Sequence, residues 1–146
     1  MVPARTLVKP ARTRRMSTVP AAQVLVVDDD PVIQKLLQVN FEMEGYRVIT
    51  ASDGVEGLDR ARSERPDIVI LDVMMPKMNG LEVASALKGD PATSSIPIIL
   101  LSAKAQEADV QAGRQTGAED YVTKPFDPLE LLERVARLVG EPSEPA

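Results

Sequence analysis

Short, uninterrupted apolar segments alternate along this chain with longer segments of helical periodicity, and this alternation constrains the fold most strongly. Five apolar segments are predicted as strands, at residues 23–27, 47–50, 68–71, 96–101 and 121–122. Apolar strands without alternating polar residues are typical of a parallel sheet covered on both faces. Because crossovers between parallel strands are right-handed, the pattern predicts a doubly wound α/β fold, a three-layer α/β/α sandwich around a five-stranded parallel sheet.

The segments that follow the strands are predicted as helices. The first starts at Asp30 and ends at Gly45, the last has an apolar stripe within residues 131–139, and residues 105–116 form a weakly amphipathic fourth helix with few large apolar side chains. Candidate N-caps and helix entries are recognisable at Asp30, Asp53, Asn79 and Asp127. The predicted inner face of the first helix consists of Ile33, Leu36, Leu37, Asn40 and Phe41.

The length of 146 residues suits one globular domain, predicted over residues 23–140, with a tail at each end. Residues 1–22 contain five basic residues and no acidic one, although the net charge of the chain is −5, and they are predicted to be disordered. The favoured interpretation is an extension without function, with Met16 as an alternative start; an electrostatic arm and a targeting peptide are the alternatives. Residues 141–146 are predicted to be a disordered acidic tail.

Several function classes are excluded by what the sequence lacks. The chain contains no cysteine and no histidine, which excludes disulfides, thiolate sites, histidine-based metal sites and serine-type triads. No apolar stretch approaches the roughly 20 residues that span a bilayer. No Gly-x-Gly-x-x-Gly motif follows the first strand, which argues against a dinucleotide-binding enzyme.

Polar residues stand at the carboxyl ends of the predicted strands. They are Asp28, Asp29 and Asp30 after the first strand, Asp72 after the third, Ser102 after the fourth and Lys124 after the fifth. A parallel sheet brings these ends to one edge, where doubly wound folds have their functional crevice. Each residue alone has an ordinary explanation as a cap or turn residue, and Asp30 is interpreted as a cap only. Their joint occurrence predicts a site.

The charges of this predicted site indicate its ligand. Asp28, Asp29 and Asp72 supply three negative charges and Lys124 one positive charge, so a divalent cation would neutralise the site. Oxygen ligands favour a hard ion such as Mg²⁺. A lysine and a magnesium ion together stabilise the oxygens of a transferred phosphoryl group, and a carboxylate can act as its nucleophile.

Four motifs now give the chain a family resemblance. They are VLVVDDDP at residues 24–31, PDIVILDVMMPKMNG at residues 66–80, IILLSA at residues 98–103 and GAEDYVTKPF at residues 117–126. In this order and spacing they resemble the receiver domain of bacterial two-component response regulators, which is CheY-like. The resemblance covers residues 23–139 and implies the flavodoxin-like (βα)5 form of the predicted fold.

The resemblance also implies roles for the acidic residues. Asp72 is similar to the phosphoacceptor of the family. Asp29 resembles the acid that contacts Mg²⁺ directly, Asp28 the acid beside it that acts mostly through water, and the backbone carbonyl of Met74 the third metal contact.

The remaining implied roles concern the phosphoryl group and the conformational response. Lys124 resembles the phosphate-binding lysine, with a cis bond expected to Pro125, and the backbone N–H groups of Met74 and Ala103 are expected to hold the phosphate. Ser102 matches the switch hydroxyl and Tyr121 the switch aromatic residue.

The implied function is a cytoplasmic phosphoacceptor that signals through a conformational switch and catalyses only its own phosphorylation and dephosphorylation. Because the chain has no histidine, the donor must be a partner histidine kinase or histidine phosphotransfer protein. A downstream target protein is expected, and neither a membrane nor a nucleic acid. Met74 stands where a haloacid dehalogenase-type phosphatase needs a second aspartate, which argues against that enzyme class.

Three further questions are open at this level. The chain is interpreted as a stand-alone receiver, with a fragment of a larger regulator or a phosphorylation-independent interaction module as alternatives. It is expected to be a monomer or a phosphorylation-dependent homodimer. Four charged residues of the expected signalling face could pair across such a dimer, although a solvated surface is favoured: Glu119, Asp120, Glu130 and Arg134.

Overall fold

The computed structural model describes residues 21–139, which contain five strands and five helices in strict alternation. The elements are β1 Gln23–Val27, α1 Pro31–Met43, β2 Arg47–Ala51, α2 Gly54–Glu64, β3 Ile68–Asp72, α3 Gly80–Lys88, β4 Ile98–Ser102, α4 Glu107–Gln115, β5 Asp120–Thr123 and α5 Pro128–Val139. All neighbouring strands are parallel, in the order β2-β1-β3-β4-β5. The predicted doubly wound five-stranded sheet is therefore confirmed.

The sheet separates two apolar cores, because successive residues of each strand point to opposite faces. On one face, Leu25 and Leu71 pack in a core with residues of α2 and α3. On the other face, Val26 and Ile70 pack in a core with residues of α1 and α5. This arrangement explains why the interiors of β1, β3 and β4 are apolar on both faces, and it gives the predicted three-layer sandwich.

Most predicted helix starts are correct. The side chains of Asp30, Asp53 and Asn79 accept backbone N–H groups as the N-caps of α1, α2 and α3, and Asn79 forms a reciprocal capping box with Glu82. Asp127 accepts the N–H of Leu129 at the start of α5. The first helical segment ends slightly earlier than predicted, at Met43, with Gly45 following at a left-handed φ of 98°.

Other boundaries differ from the sequence-based prediction. β4 starts at Ile98 and includes Ser102, while residues 89–96 form turns. The fourth helix, Glu107–Gln115, is shorter at both ends than the predicted residues 105–116. The side chain of Gln106, the residue before it, makes no capping hydrogen bond. On α1, Leu37 and Phe41 are buried as expected, but Leu36 is exposed and belongs to an outward apolar stripe with Val32, Val39 and Met43.

The four charged residues of the expected signalling face make contacts within the chain, and Glu119 and Glu130 are exposed. Glu119 accepts the N–H of Ile98 at 2.8 Å and pairs with Lys88 at 2.8 Å. Arg134 binds Asp120 at 2.7 Å and Glu130 at 3.1 Å. These residues therefore connect elements of one chain, and their charges are partly neutralised there.

Both predicted tails lie outside the described residues, apart from Ala21 and Ala22. Within residues 21–139, no helix has the length and apolar character that crossing a membrane requires.

Candidate functional site

The carboxyl edge of the sheet brings the predicted acids together at the point where the strand order reverses. Asp28 follows β1 and Asp72 ends β3, and these strands are neighbours. One carboxylate oxygen from each of Asp28, Asp29 and Asp72 lies within 4.8 Å of the others. Asp28 and Asp72 are buried, whereas Asp29 is exposed at the mouth of the cluster.

Lys124 reaches this cluster from the loop after β5. Its Nζ atom lies 3.2 Å from Oδ2 of Asp28 and 3.3 Å from Oδ1 of Asp72. The predicted cis bond between Lys124 and Pro125 is present. One ammonium group therefore bridges two buried carboxylates that come from different strands.

The electrostatic balance at the cluster favours an additional cation. Burial, together with the charge of Asp28, raises the pKa of Asp72 above its ordinary value, and Lys124 only partly opposes this. Burial disfavours the charged form of Lys124, yet the attraction of Asp28 and Asp72 outweighs it, so the pKa of Lys124 is also raised. The lysine thus stays charged, and the carboxylates remain incompletely compensated.

The segment after β3 is held tightly against the sheet. The N–H of Val73 donates to the carbonyl of Leu101, and the N–H of Gly80 donates to the carbonyl of Val73, both at 2.9 Å. A Cβ atom at Gly80 would lie only 2.2 Å from the carbonyl oxygen of Asp72, so a side chain cannot be accommodated there. The start of α3 therefore fixes the backbone that carries Asp72.

The predicted phosphate-binding groups lie at the rim of the cluster. The N–H of Met74 donates to Oδ1 of Asp72 at 3.4 Å, and its side chain is 54% exposed. Ala103 directly follows β4 and is exposed. Both N–H groups belong to exposed loops beside Asp72, where an incoming oxyanion could meet them.

The predicted switch residues are connected through the main chain of Lys104. Oγ of the buried Ser102 accepts the N–H of Lys104 at 3.0 Å. The hydroxyl of Tyr121 donates to the carbonyl of Lys104 at 2.8 Å. The ring of Tyr121 packs against Gly113 of α4, where a Cβ atom would approach the ring to 2.6 Å. A contact path therefore runs from the acidic edge to α4.

The sequence analysis missed three contributors to this region: Gln34, the main chain of Lys104, and Gly113. Gln34 donates to the carbonyl of Asp28, and Lys104 acts through its backbone. Gly113 acts by lacking a side chain. The sequence pattern indicates function through polar residues at strand ends. Gln34 and Gly113 lie in helices and Lys104 acts through its backbone, so the pattern does not identify them.

The residues present fit a magnesium ion. The donor set consists of carboxylate oxygens, which Mg²⁺ prefers, and Asp29 offers an exposed ligand next to two buried ones. Oδ1 of Asp28 already accepts the N–H of Asp30 at 2.9 Å and Oδ2 faces Lys124, which agrees with an indirect role for Asp28.

The doubly wound fold and the acidic site at its carboxyl edge are those of a receiver-type signalling domain. The chain belongs to the response regulator receiver domain family, whose model matches residues 24–136. Receiver domains bind Mg²⁺ in an acidic pocket of this kind.

Among the curated relatives, the transcriptional regulatory protein PhoP of Bacillus subtilis, named for alkaline phosphatase synthesis, is 48% identical over 117 residues, which are 80% of this chain and 48% of PhoP. The DNA-binding response regulator MtrA of Mycolicibacterium smegmatis is 45% identical over 125 residues, 85% of this chain and 54% of MtrA. The chain thus spans about half the length of these relatives. Their names are in tension with the expectation of no nucleic-acid partner, which stays untested.

Solved structures give the same family. The chemotaxis protein CheY4 of Vibrio cholerae matches with a TM-score of 0.76 and 36% identity, covering 81% of this chain and 98% of CheY4. The receiver domain of the sensor histidine kinase PA1611 of Pseudomonas aeruginosa, with a magnesium ion coordinated in its active-site cleft, matches with a TM-score of 0.76 and 30% identity, covering 82% of this chain and 98% of that domain.

Proposed function

We propose that this receiver domain accepts a phosphoryl group on Asp72 from the phosphohistidine of a partner protein. The observation that carries the proposal is the position of Lys124, whose ammonium group bridges Asp28 and the buried Asp72 beside the exposed Asp29. This arrangement offers a nucleophilic carboxylate, a fixed cation for the incoming phosphoryl oxygens, and ligands for a metal ion.

In the proposed transfer, an oxygen of the Asp72 carboxylate forms a bond to phosphorus. The bond between phosphorus and the donor's histidine nitrogen breaks, and its electron pair stays on the imidazole, which takes up a proton from solvent. In the reset step, water attacks phosphorus, the bond to the Asp72 oxygen breaks, and inorganic phosphate leaves. Catalysis is limited to these two reactions of the domain itself.

Each remaining residue of the site has a role in this reaction. Lys124 and the N–H groups of Met74 and Ala103 bind the phosphoryl oxygens. Mg²⁺, held by Asp29, Asp72 and the Met74 carbonyl with Asp28 acting through water, would supply the charge neutralisation that phosphoryl transfer requires. Because the pKa of Asp72 is raised, a cation bound beside it would also shift this group towards its ionised, nucleophilic form.

We propose that the signal leaves the site through Ser102, Lys104 and Tyr121. A phosphoryl group on Asp72 would accept the O–H of Ser102 and so pull on the hydroxyl whose oxygen accepts the N–H of Lys104. Any shift of the Lys104 peptide also disturbs its bond to the Tyr121 hydroxyl. The helix next to Tyr121, α4, buries only the small residue Gly113, so it is held loosely enough to respond.

The proposal implies a cytoplasmic domain with two protein partners, a histidine kinase or phosphotransfer protein and a downstream target, acting as a monomer or a phosphorylation-dependent homodimer. In the proposed organisation, residues 23–140 form the receiver, with residues 1–22 before it and residues 141–146 after it. A receiver within a larger DNA-binding regulator is a second candidate, because the relatives with transcriptional or DNA-binding names are about twice as long as the matched segment. A phosphorylation-independent interaction module is less well supported, since every expected site residue is present.

Phosphorylation with a small phosphodonor tests the assignment. Wild-type protein incubated with acetyl phosphate and Mg²⁺ is expected to gain one acid-labile phosphoryl group by intact mass spectrometry, and Asp72→Asn is expected to gain none. Asp30→Asn is the matched control, because Asn caps helices as well as Asp does and Asp30 serves as a cap. Labelling that survives in Asp72→Asn would overturn the proposal, as would its absence in the wild type.

A further inference from the structure

Gln34 makes a concentrated set of contacts at the acidic edge, although it is neither charged nor adjacent to Asp72 in sequence. Its Nε2 atom donates to the carbonyl of Asp28 at 2.5 Å, to the carbonyl of Ala51 at 3.1 Å and to Oγ of Ser52 at 3.1 Å. The side chain is half-buried in the first turn of α1. One amide group therefore joins the ends of β1 and β2 to the helix that follows the acids.

The carbonyl that Gln34 holds belongs to the peptide between Asp28 and Asp29, so its orientation determines where both side chains point. The other groups of this turn are also fixed. The N–H of Asp28 donates to Ala51 at 3.1 Å, and Oδ1 of Asp28 accepts the N–H of Asp30 at 2.9 Å. Among residues 21–139, Gln34 is the residue outside the three acids whose side chain hydrogen-bonds the Asp28–Asp29 peptide.

We propose that Gln34 is a positioning residue for the magnesium site: its amide holds the Asp28–Asp29 peptide so that both carboxylates face Asp72. This inference rests on the proposed function, since it concerns the ion of that same site. Side chains that orient metal ligands without contacting the metal commonly change its affinity about 10-fold or more when they are removed. Asp29 is exposed and depends on the backbone for its direction, so it is the ligand most affected.

A purely structural role makes a different prediction. If Gln34 only satisfied two carbonyl groups at strand ends, its loss would lower stability without changing the affinity of the folded protein for the ion. Affinity and stability therefore have to be measured on the same variants.

The test uses Gln34→Met, which keeps the side-chain length and removes both amide hydrogens. We expect its Mg²⁺ dissociation constant, measured by isothermal titration calorimetry on the unphosphorylated protein well below its melting temperature, to rise about 10-fold. In ¹⁵N NMR spectra, the Mg²⁺-induced shift of the Asp29 amide is expected to change. Gln34→Ala provides a second variant in case Gln34→Met does not fold.

Gln38→Met is the matched control. Gln38 lies one turn further along α1 and its amide contacts Glu42 at 3.3 Å, away from the acids. Its affinity is expected to equal that of the wild type. The inference is wrong if folded Gln34→Met or Gln34→Ala binds Mg²⁺ within about twofold of the control, even if the melting temperature falls. A wild-type protein that does not bind Mg²⁺ would instead contradict the proposed function itself.

Discussion

A lysine pairs with carboxylate groups at both the amino and the carboxyl ends of the parallel strands. The two lysines differ in how closely the negative charge around them matches their own. At the amino edge, Lys88 makes three hydrogen bonds, to Glu119 at 2.8 Å, to Ile96 at 2.9 Å and to Ser94 at 3.1 Å. One carboxylate and two carbonyls satisfy its three hydrogens. Lys88 therefore has a partner for each of its hydrogens within the chain.

At the carboxyl edge, Lys124 faces two carboxylates at longer distances, 3.2 and 3.3 Å, with Asp29 nearby. The negative charge exceeds the positive charge, and the pKa of Asp72 is raised as a result of burial and of Asp28. The same residue types thus form a matched structural pair at one edge and leave an excess of negative charge, suited to a cation, at the other.

The largest expected effect distinguishes the two lysines directly. Lys88→Met removes the donor from Oε2 of Glu119 and from the carbonyls of Ser94 and Ile96, and should lower the free energy of unfolding by about 1–3 kcal/mol. Lys124→Met should also destabilise the protein, because Asp28 and Asp72 then face each other without a cation. Millimolar Mg²⁺ is expected to restore stability in Lys124→Met and not in Lys88→Met. Urea unfolding with and without Mg²⁺ measures both, and equal responses would remove the distinction between the edges.

A smaller effect is expected from pH. Because the pKa of Asp72 is higher in the folded than in the unfolded protein, the stability linked to this group is fully present below the unfolded pKa and is lost as pH rises through the folded pKa. Asp72→Asn removes this loss, so it should be more stable than wild type at neutral pH, with the difference shrinking towards acidic pH. Urea unfolding from acidic to neutral pH checks this; a difference independent of pH would contradict it.

The smallest effect concerns the lifetime of the phosphorylated state. The backbone of Met74 contacts Asp72, and its bulky, exposed side chain is expected to limit access of water to the phosphoryl group. Met74→Asn should therefore speed dephosphorylation a few-fold, measured as loss of phosphoprotein after removal of the donor. Met43→Asn, at an exposed methionine on α1, is the control. An unchanged rate in Met74→Asn would show that Met74 does not shield the site.

The sequence was most informative where residue type and position act together. Apolar segments with Asp28, Asp72 and Lys124 at or just after their carboxyl ends predicted a parallel sheet. They also predicted that these side chains meet, because parallel strands place their ends at one edge. The pairing of Glu119 with Lys88 was missed, since it joins α3 to the start of β5.

Contacts between side chains and distant backbone groups could not be predicted from the sequence either. Gln34 reaches the carbonyl of Ala51, 17 residues away, and Tyr121 reaches that of Lys104 at the same separation. Every residue offers the same backbone acceptor, so nothing in the residue type identifies which one is used.

The link between Ser102 and Tyr121 has a consequence for how the domain can vary. Both bonds end on the N–H and C=O groups of residue 104, and its lysine side chain takes part in neither. The connection therefore depends on main-chain groups, which every residue except proline offers. Replacing Lys104 by any residue other than proline is therefore expected to keep both bonds, so the surface charge at this position can be changed without removing the connection between Ser102 and Tyr121.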